Sequence, residues 1–91
     1  MEEVTSLSEG GLYLRTVSPV PVNALVRLTL IVGDREIEAT AVVLYSSEKV
    51  GGLHEAPGMG MNFTDISETD LNLIRDFIRA GVMRDIQARK G

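Results

Sequence analysis

The sequence predicts a mainly β fold, a small twisted antiparallel sheet or partial barrel with one C-terminal α-helix. Three observations predict it. Apolar and polar residues alternate through most of the first two thirds of the chain, which is the two-residue period of a strand. Turn residues separate the alternating runs, with prolines at 19 and 21 and Gly33-Asp34 between two long ones. Beyond Ser67 the apolar spacing changes to three and four residues, the period of a helix.

Each element follows from its residues. Residues 11–16 read as a strand, with Leu12 and Leu14 alternating against Tyr13 and Arg15. Pro19 and Pro21 cannot donate to a central ladder, so 17–21 is a turn or extended connector. Residues 24–32 form the next strand, with Val26, Leu28, Leu30 and Val32 on one face. Gly33-Asp34 is a two-residue hairpin turn of the Gly-X kind. Residues 35–45 return antiparallel, with Ile37, Ala39, Ala41, Val43 and Tyr45 on the apolar face. The stretch 42–45 is apolar on both faces, so both are expected to be covered. A polar loop, 46–57, contains Gly51, Gly52 and His54. Residues 58–64 form a fourth strand, with Met59, Met61 and Phe63 on one face.

Ser67 opens the helix. Its hydroxyl is expected to accept from the Asp70 amide, while the Asp70 carboxylate reaches back in a capping box. Leu71, Ile74, Ile78 and Val82 mark the apolar stripe, with Phe77 beside it. Gly81 weakens the helix by about 1 kcal/mol relative to alanine, so a break is expected near it. Val82, Met83 and Ile86 keep a helical period beyond that point. Residues 81–91 therefore read as a helix extension or tail whose apolar side is available to a partner.

Composition narrows the function. A chain of 91 residues is one domain, 1–91, with a core spanning about 4–80. Cysteine is absent, which excludes disulfides and thiolate metal sites and fits a cytoplasmic location. The start, Met1-Glu2-Glu3, is not a secretory leader, and the apolar runs are too short for membrane insertion. The net charge of −4 opposes general binding to DNA or RNA, though not one phosphate ligand in a local basic pocket. The first fourteen residues carry no basic side chain, whereas Arg79, Arg84, Arg89 and Lys90 fall in the last thirteen. His54 has no companion with metal-ligand spacing, so neither metal nor cofactor is expected. Glu36 and Glu38 alternate on one strand face without a nucleophile–base set, so the expected activity is binding and not catalysis.

Four segments in order carry a family resemblance. Ser6-Leu7-Ser8-Glu9-Gly10-Gly11 is similar to the Asp-x-Ser-x-x-Gly segment of PilZ domains. Residues 37–45 resemble the strand ahead of that family's loop. Gly58-Met59-Gly60-Met61-Asn62-Phe63 resembles its G-x-G-hydrophobic-x-F strand, and 67–78 its terminal helix. The resemblance implies a six-stranded barrel and a receptor or adaptor for the bacterial messenger cyclic di-GMP, acting on a protein partner. It places ligand contacts at Ser6, Ser8, Gly10 and Gly11, to which Arg15 and Arg27 are the cations that can add charge in a surface pocket. From the residues alone, the first four make a turn whose serine hydrogen bonds start a strand, and Arg15 is a solvated strand residue.

Two departures bear on the ligand. The family's R-x-x-x-R stretch does not precede Ser6, where the five residues are Met1-Glu2-Glu3-Val4-Thr5, and the Asp position holds Ser6. Arginine suits a cyclic dinucleotide because its planar fork pairs with phosphate and lies on purines. The resemblance therefore implies a degenerate member with weak or lost nucleotide binding, or an arginine motif upstream of this chain. It also implies a first strand that is missing or short. The competing expectation is a nucleotide-independent interaction module on the same fold, with a homodimer among its assemblies.

Overall fold

The computed structural model describes residues 1–47, 57–81 and 86–91. Its strands are β1 (Glu2–Leu7), β2 (Gly11–Arg15), β3 (Leu25–Val32), β4 (Arg35–Ser47), β5 (Gly58–Ile66) and β6 (Gln87–Lys90). Helix α1 (Glu68–Ala80) lies between the last two. Every strand pairing is antiparallel, and the sheet closes into a barrel in the order β1-β2-β5-β4-β3-β6.

Alternation decides what fills the barrel. Leu12 and Leu14 of β2, Val26, Leu28, Leu30 and Val32 of β3, and Ile37, Ala41 and Val43 of β4 all point inward and are buried. Met59 and Met61 supply the β5 contribution. Burying one such large side chain stabilises the fold by roughly 1.5–3 kcal/mol. The β3–β4 hairpin turns through Gly33 at φ +62°, a backbone angle glycine adopts without strain. Its register runs unbroken from Val32↔Arg35 to Leu25↔Val42.

Two strands lie where the sequence predicts none. β1 is present and pairs with β2, so the first strand is neither missing nor shortened away. The ladder jumps from Val4↔Leu14 to Ser6↔Tyr13, leaving Thr5 as an extra residue in a bulge. That bulge lets Val4 and Leu7 both point inward although they are three residues apart. β6 replaces the expected helical extension or tail over part of 81–91. Gln87–Lys90 closes the barrel between β1 and β3, with Ala88 opposite both Glu2 and Leu30. Ile86, read above as available to a partner, is fully buried, and its carbonyl accepts from the Val4 amide at 2.9 Å. Val82 and Met83 lie outside the described residues, as do Gly51, Gly52 and His54.

The far end of β4 also departs from simple alternation. The register shifts between Val43 and Tyr45, so Leu44 and Tyr45 both face outward, 47% and 52% exposed. Tyr45 is therefore on the outer surface and not on the apolar inner face. The expectation that 42–45 is covered on both sides fails for the same reason.

α1 lies against the barrel and adds Ile74 to the core, with Leu73 and Phe77 packed beside it. The stripe is thus centred on Leu73, Ile74 and Phe77, and Ile78 stays exposed. The Ser67 hydroxyl accepts from the Asp70 amide at 3.1 Å, as expected of a cap. The Asp70 carboxylate does not return to Ser67; it accepts from the Glu38 amide at 3.4 Å and ties the helix start to β4. At the other end, Gly81 takes a left-handed conformation and its amide closes on the Ile78 carbonyl. Ser67→Ala should destabilise the protein by about 1 kcal/mol. A thermal melt followed by circular dichroism should show a Tm lower by roughly 4–8 °C.

Candidate functional site

The serine-glycine corner joins β1 to β2. Ser8 makes it a closed turn: its amide donates to the Gly11 carbonyl at 2.9 Å, and its hydroxyl accepts from the Gly11 amide at 3.2 Å. The same hydroxyl also donates to the Gly11 carbonyl at 3.3 Å. Gly10 is exposed, and its carbonyl accepts from the Phe63 amide of β5 at 2.8 Å. Gly11 is buried against β5, where a Cβ would stand 1.9 Å from the Met61 carbonyl oxygen. Ser8 and Gly11 thus build the corner itself, and the requirement for glycine at 11 comes from close strand packing.

Ser6 and Arg15 lie on the outer face. Ser6 is opposite Tyr13, and Gly11, Tyr13 and Arg15 succeed one another on the outward side of β2. From Gly11 to Arg15 that side spans about 13 Å, at the usual strand rise. Ser6 and Arg15 therefore share one surface, with Gly11 buried on the same side of β2, whereas Ser8 and Gly10 sit at its end, next to α1. The Arg15 guanidinium donates to Glu3 at 3.2 Å in an exposed ion pair. Such a pair adds little stability in water, but it places a carboxylate beside the one cation in β1, β2 and β5.

Two tyrosines complete this surface, and sequence reasoning missed them as site residues. Tyr13 of β2 and Tyr45 of β4 both stand opposite Gly60 of the intervening strand. A Cβ on Gly60 would lie 2.3 Å from the Tyr45 ring, and one on Gly58 would lie 2.7 Å from the Tyr13 ring. The rings therefore rest against glycine backbone, with centroids 6.1 Å apart and planes tilted by 34°. The alternating Gly58-x-Gly60 carried the signal, because glycine within a strand marks close approach of another group. The result is a tilted aromatic pair beside Ser6 and Arg15, and exposed ring surface of this kind can stack a planar group.

Among the described residues, grooves border both ends of α1. One, of about 560 Å³, includes Arg27, Glu38, Asp65, Ser67 and Asp70, and its three carboxylates repel anions. The other, of about 590 Å³, lies between the corner and the second half of the helix, lined in part by Ser8, Glu9, Gly10, Arg75 and Arg79. No helix among the described residues is long and apolar enough to cross a membrane.

A family model described as PilZ domain matches residues 2–80. No curated protein and no solved structure matches the chain. The matched stretch contains β1 to β5 and α1, and β6 lies beyond it while completing the same barrel.

Proposed function

The chain belongs to the PilZ domain family, cyclic di-GMP-binding signalling and adaptor domains, and from that premise we propose a receptor or adaptor whose own nucleotide affinity is weak. It works by binding, without catalysis, and passes its state to a protein partner. The ligand surface is the outer barrel face, with Ser6, Tyr13, Arg15 and Tyr45 as contacts and Ser8, Gly10 and the buried Gly11 forming the corner at its edge. What carries the reading is the pairing of Arg15 with Glu3 on that face. The aromatic patch can stack a guanine, yet the nearest guanidinium is already held by a carboxylate.

The size of the effect follows from the contacts. A micromolar complex corresponds to about −8 kcal/mol. Each charge-assisted hydrogen bond not made removes roughly 1.5–3 kcal/mol. Two such losses move the dissociation constant to about 100 µM or weaker. Isothermal titration with cyclic di-GMP should therefore give a Kd above that value or no heat. A sub-micromolar Kd contradicts the reading.

A second reading, a nucleotide-independent interaction or dimerisation module, rests on a different observation. Leu25, Leu44 and Tyr45 expose apolar surface on the outside of β3 and β4, with Leu25 68% exposed. Concentration-dependent mass in light scattering that vanishes in Leu25→Glu would favour it.

A further inference from the structure

The groove between the β1–β2 corner and α1 has a volume of about 590 Å³, within the range of small-ligand sites. One wall carries Arg75 and Arg79. They are four residues apart on the helix, so both guanidinium groups stand on one face. This is a local concentration of positive charge in a chain whose net charge is −4. The exposed side chain of Ile78 lies between them as apolar lining.

The facing wall is the corner loop. Its Ser8 amide and Gly10 carbonyl are committed to Gly11 and Phe63. The amides of Glu9 and Gly10 have no acceptor among the described residues. A Cβ on Gly10 would meet nothing within 4 Å, so the space in front of the loop is open. Two arginine side chains therefore line one opening whose other wall is the corner loop, an arrangement that favours an anion.

An anion already occupies part of that opening. The Glu9 carboxylate accepts from Arg75 Nε, and the same guanidinium donates to Asn72 at 2.9 Å. Arg79 has no ion-pair partner among the described residues. Glu9 offers two oxygens from a side chain tethered in the loop. A phosphate group offers more oxygens, spread tetrahedrally, and can pair with both guanidinium forks together.

We infer that this groove binds a phosphate ester through Arg75 and Arg79, and that Glu9 is a tethered competitor which the ligand displaces. The groove meets the outer face assigned above only at Ser8 and Gly10, and neither arginine belongs to that face. Binding at the groove would pull the corner loop and the helix together, linking ligand occupancy to the edge of the barrel surface.

The test is an NMR titration of the ¹⁵N-labelled chain with inorganic phosphate, against chloride at equal ionic strength. The amides of Glu9 and Gly10 and the Nε–H groups of Arg75 and Arg79 should shift along saturating curves. Glu9→Gln removes the competitor and should tighten phosphate binding about 3–10-fold, while Arg79→Gln should weaken it about 10-fold. Both side chains are exposed and glutamine suits a helix, so the variants should fold. A purely structural Glu9–Arg75 pair predicts lower stability in Glu9→Gln with no gain in phosphate affinity, and that result overturns the inference. Shifts that are linear in phosphate, or unchanged in Arg79→Gln, overturn it as well. A parallel titration with cyclic di-GMP separates the two sites. Movement of Tyr13 and Arg15 without a phosphate response at Arg79 leaves the outer-face reading standing and removes this one.

Discussion

Gly11→Ala is expected to destabilise the barrel by about 3 kcal/mol or more, through overpacking against backbone. The new methyl would sit 1.9 Å from the Met61 carbonyl oxygen, 2.9 Å from its carbon and 3.0 Å from Asn62 Cα. All three atoms are backbone of β5, so no side chain can rotate out of the way. β2 and β5 would have to separate where Gly11 pairs with Asn62. For a domain of this size, the loss corresponds to a Tm lowered by at least about 12 °C. Gly10→Ala, one position earlier, meets open space and should change stability by less than about 1 kcal/mol. Thermal and urea unfolding of the two variants distinguish packing from ligand approach as the reason for glycine at 11. A stable Gly11→Ala protein impaired only in binding would assign that glycine to the ligand.

Ile86→Ala is expected to cost about 2–5 kcal/mol, a large fraction of the total stability of a small domain. Ile86 is fully buried and immediately precedes β6, the strand that joins β1 to β3. Its loss leaves a cavity where the barrel closes. The ion pairs that brace β6 from outside, Lys90 with Glu2 at 3.1 Å and Arg89 with Glu36 at 3.7 Å, are too weak to compensate. Loosening β6 would expose the edges of β1 and β3 to pairing with other chains. Urea denaturation should show the midpoint falling, and light scattering should show association at high concentration. A change within about 0.5 kcal/mol would mean that the segment 86–90 is a peripheral tail.

The strands visible in the sequence are those whose alternation is long and unbroken. β3 alternates over its whole length, and the inner face of β4 does so as far as Val43. Bulges hide the rest. In β1 the extra Thr5 puts Val4 and Leu7 three residues apart, which has no two-residue period. At Leu44 another irregularity turns Tyr45 from the inner face to the outer one. β6 has four residues with only Ala88 pointing inward, too little pattern to separate it from a helix end.

The site was legible in a similar, partial way. The serine-glycine corner is a local motif, and its turn chemistry follows from residues three apart. What sets its charge does not. Glu3 meets Arg15 twelve positions away, and Glu9 meets Arg75 across sixty-six. Those contacts exist only because the barrel closes and the helix packs against it. The tyrosine patch depends on three strands lying in the order β2-β5-β4, so that Gly60 lies between two rings.

Amide chemical-shift mapping with cyclic di-GMP at millimolar concentration tests the assigned surface directly. Fast-exchange shifts should appear at Ser6, Tyr13, Arg15 and Tyr45 on the outer face, and Glu3→Gln should enlarge them at a given ligand concentration. Slow-exchange behaviour typical of tight binding would contradict the account, as would shifts confined to the opposite end around Asp65 and Asp70.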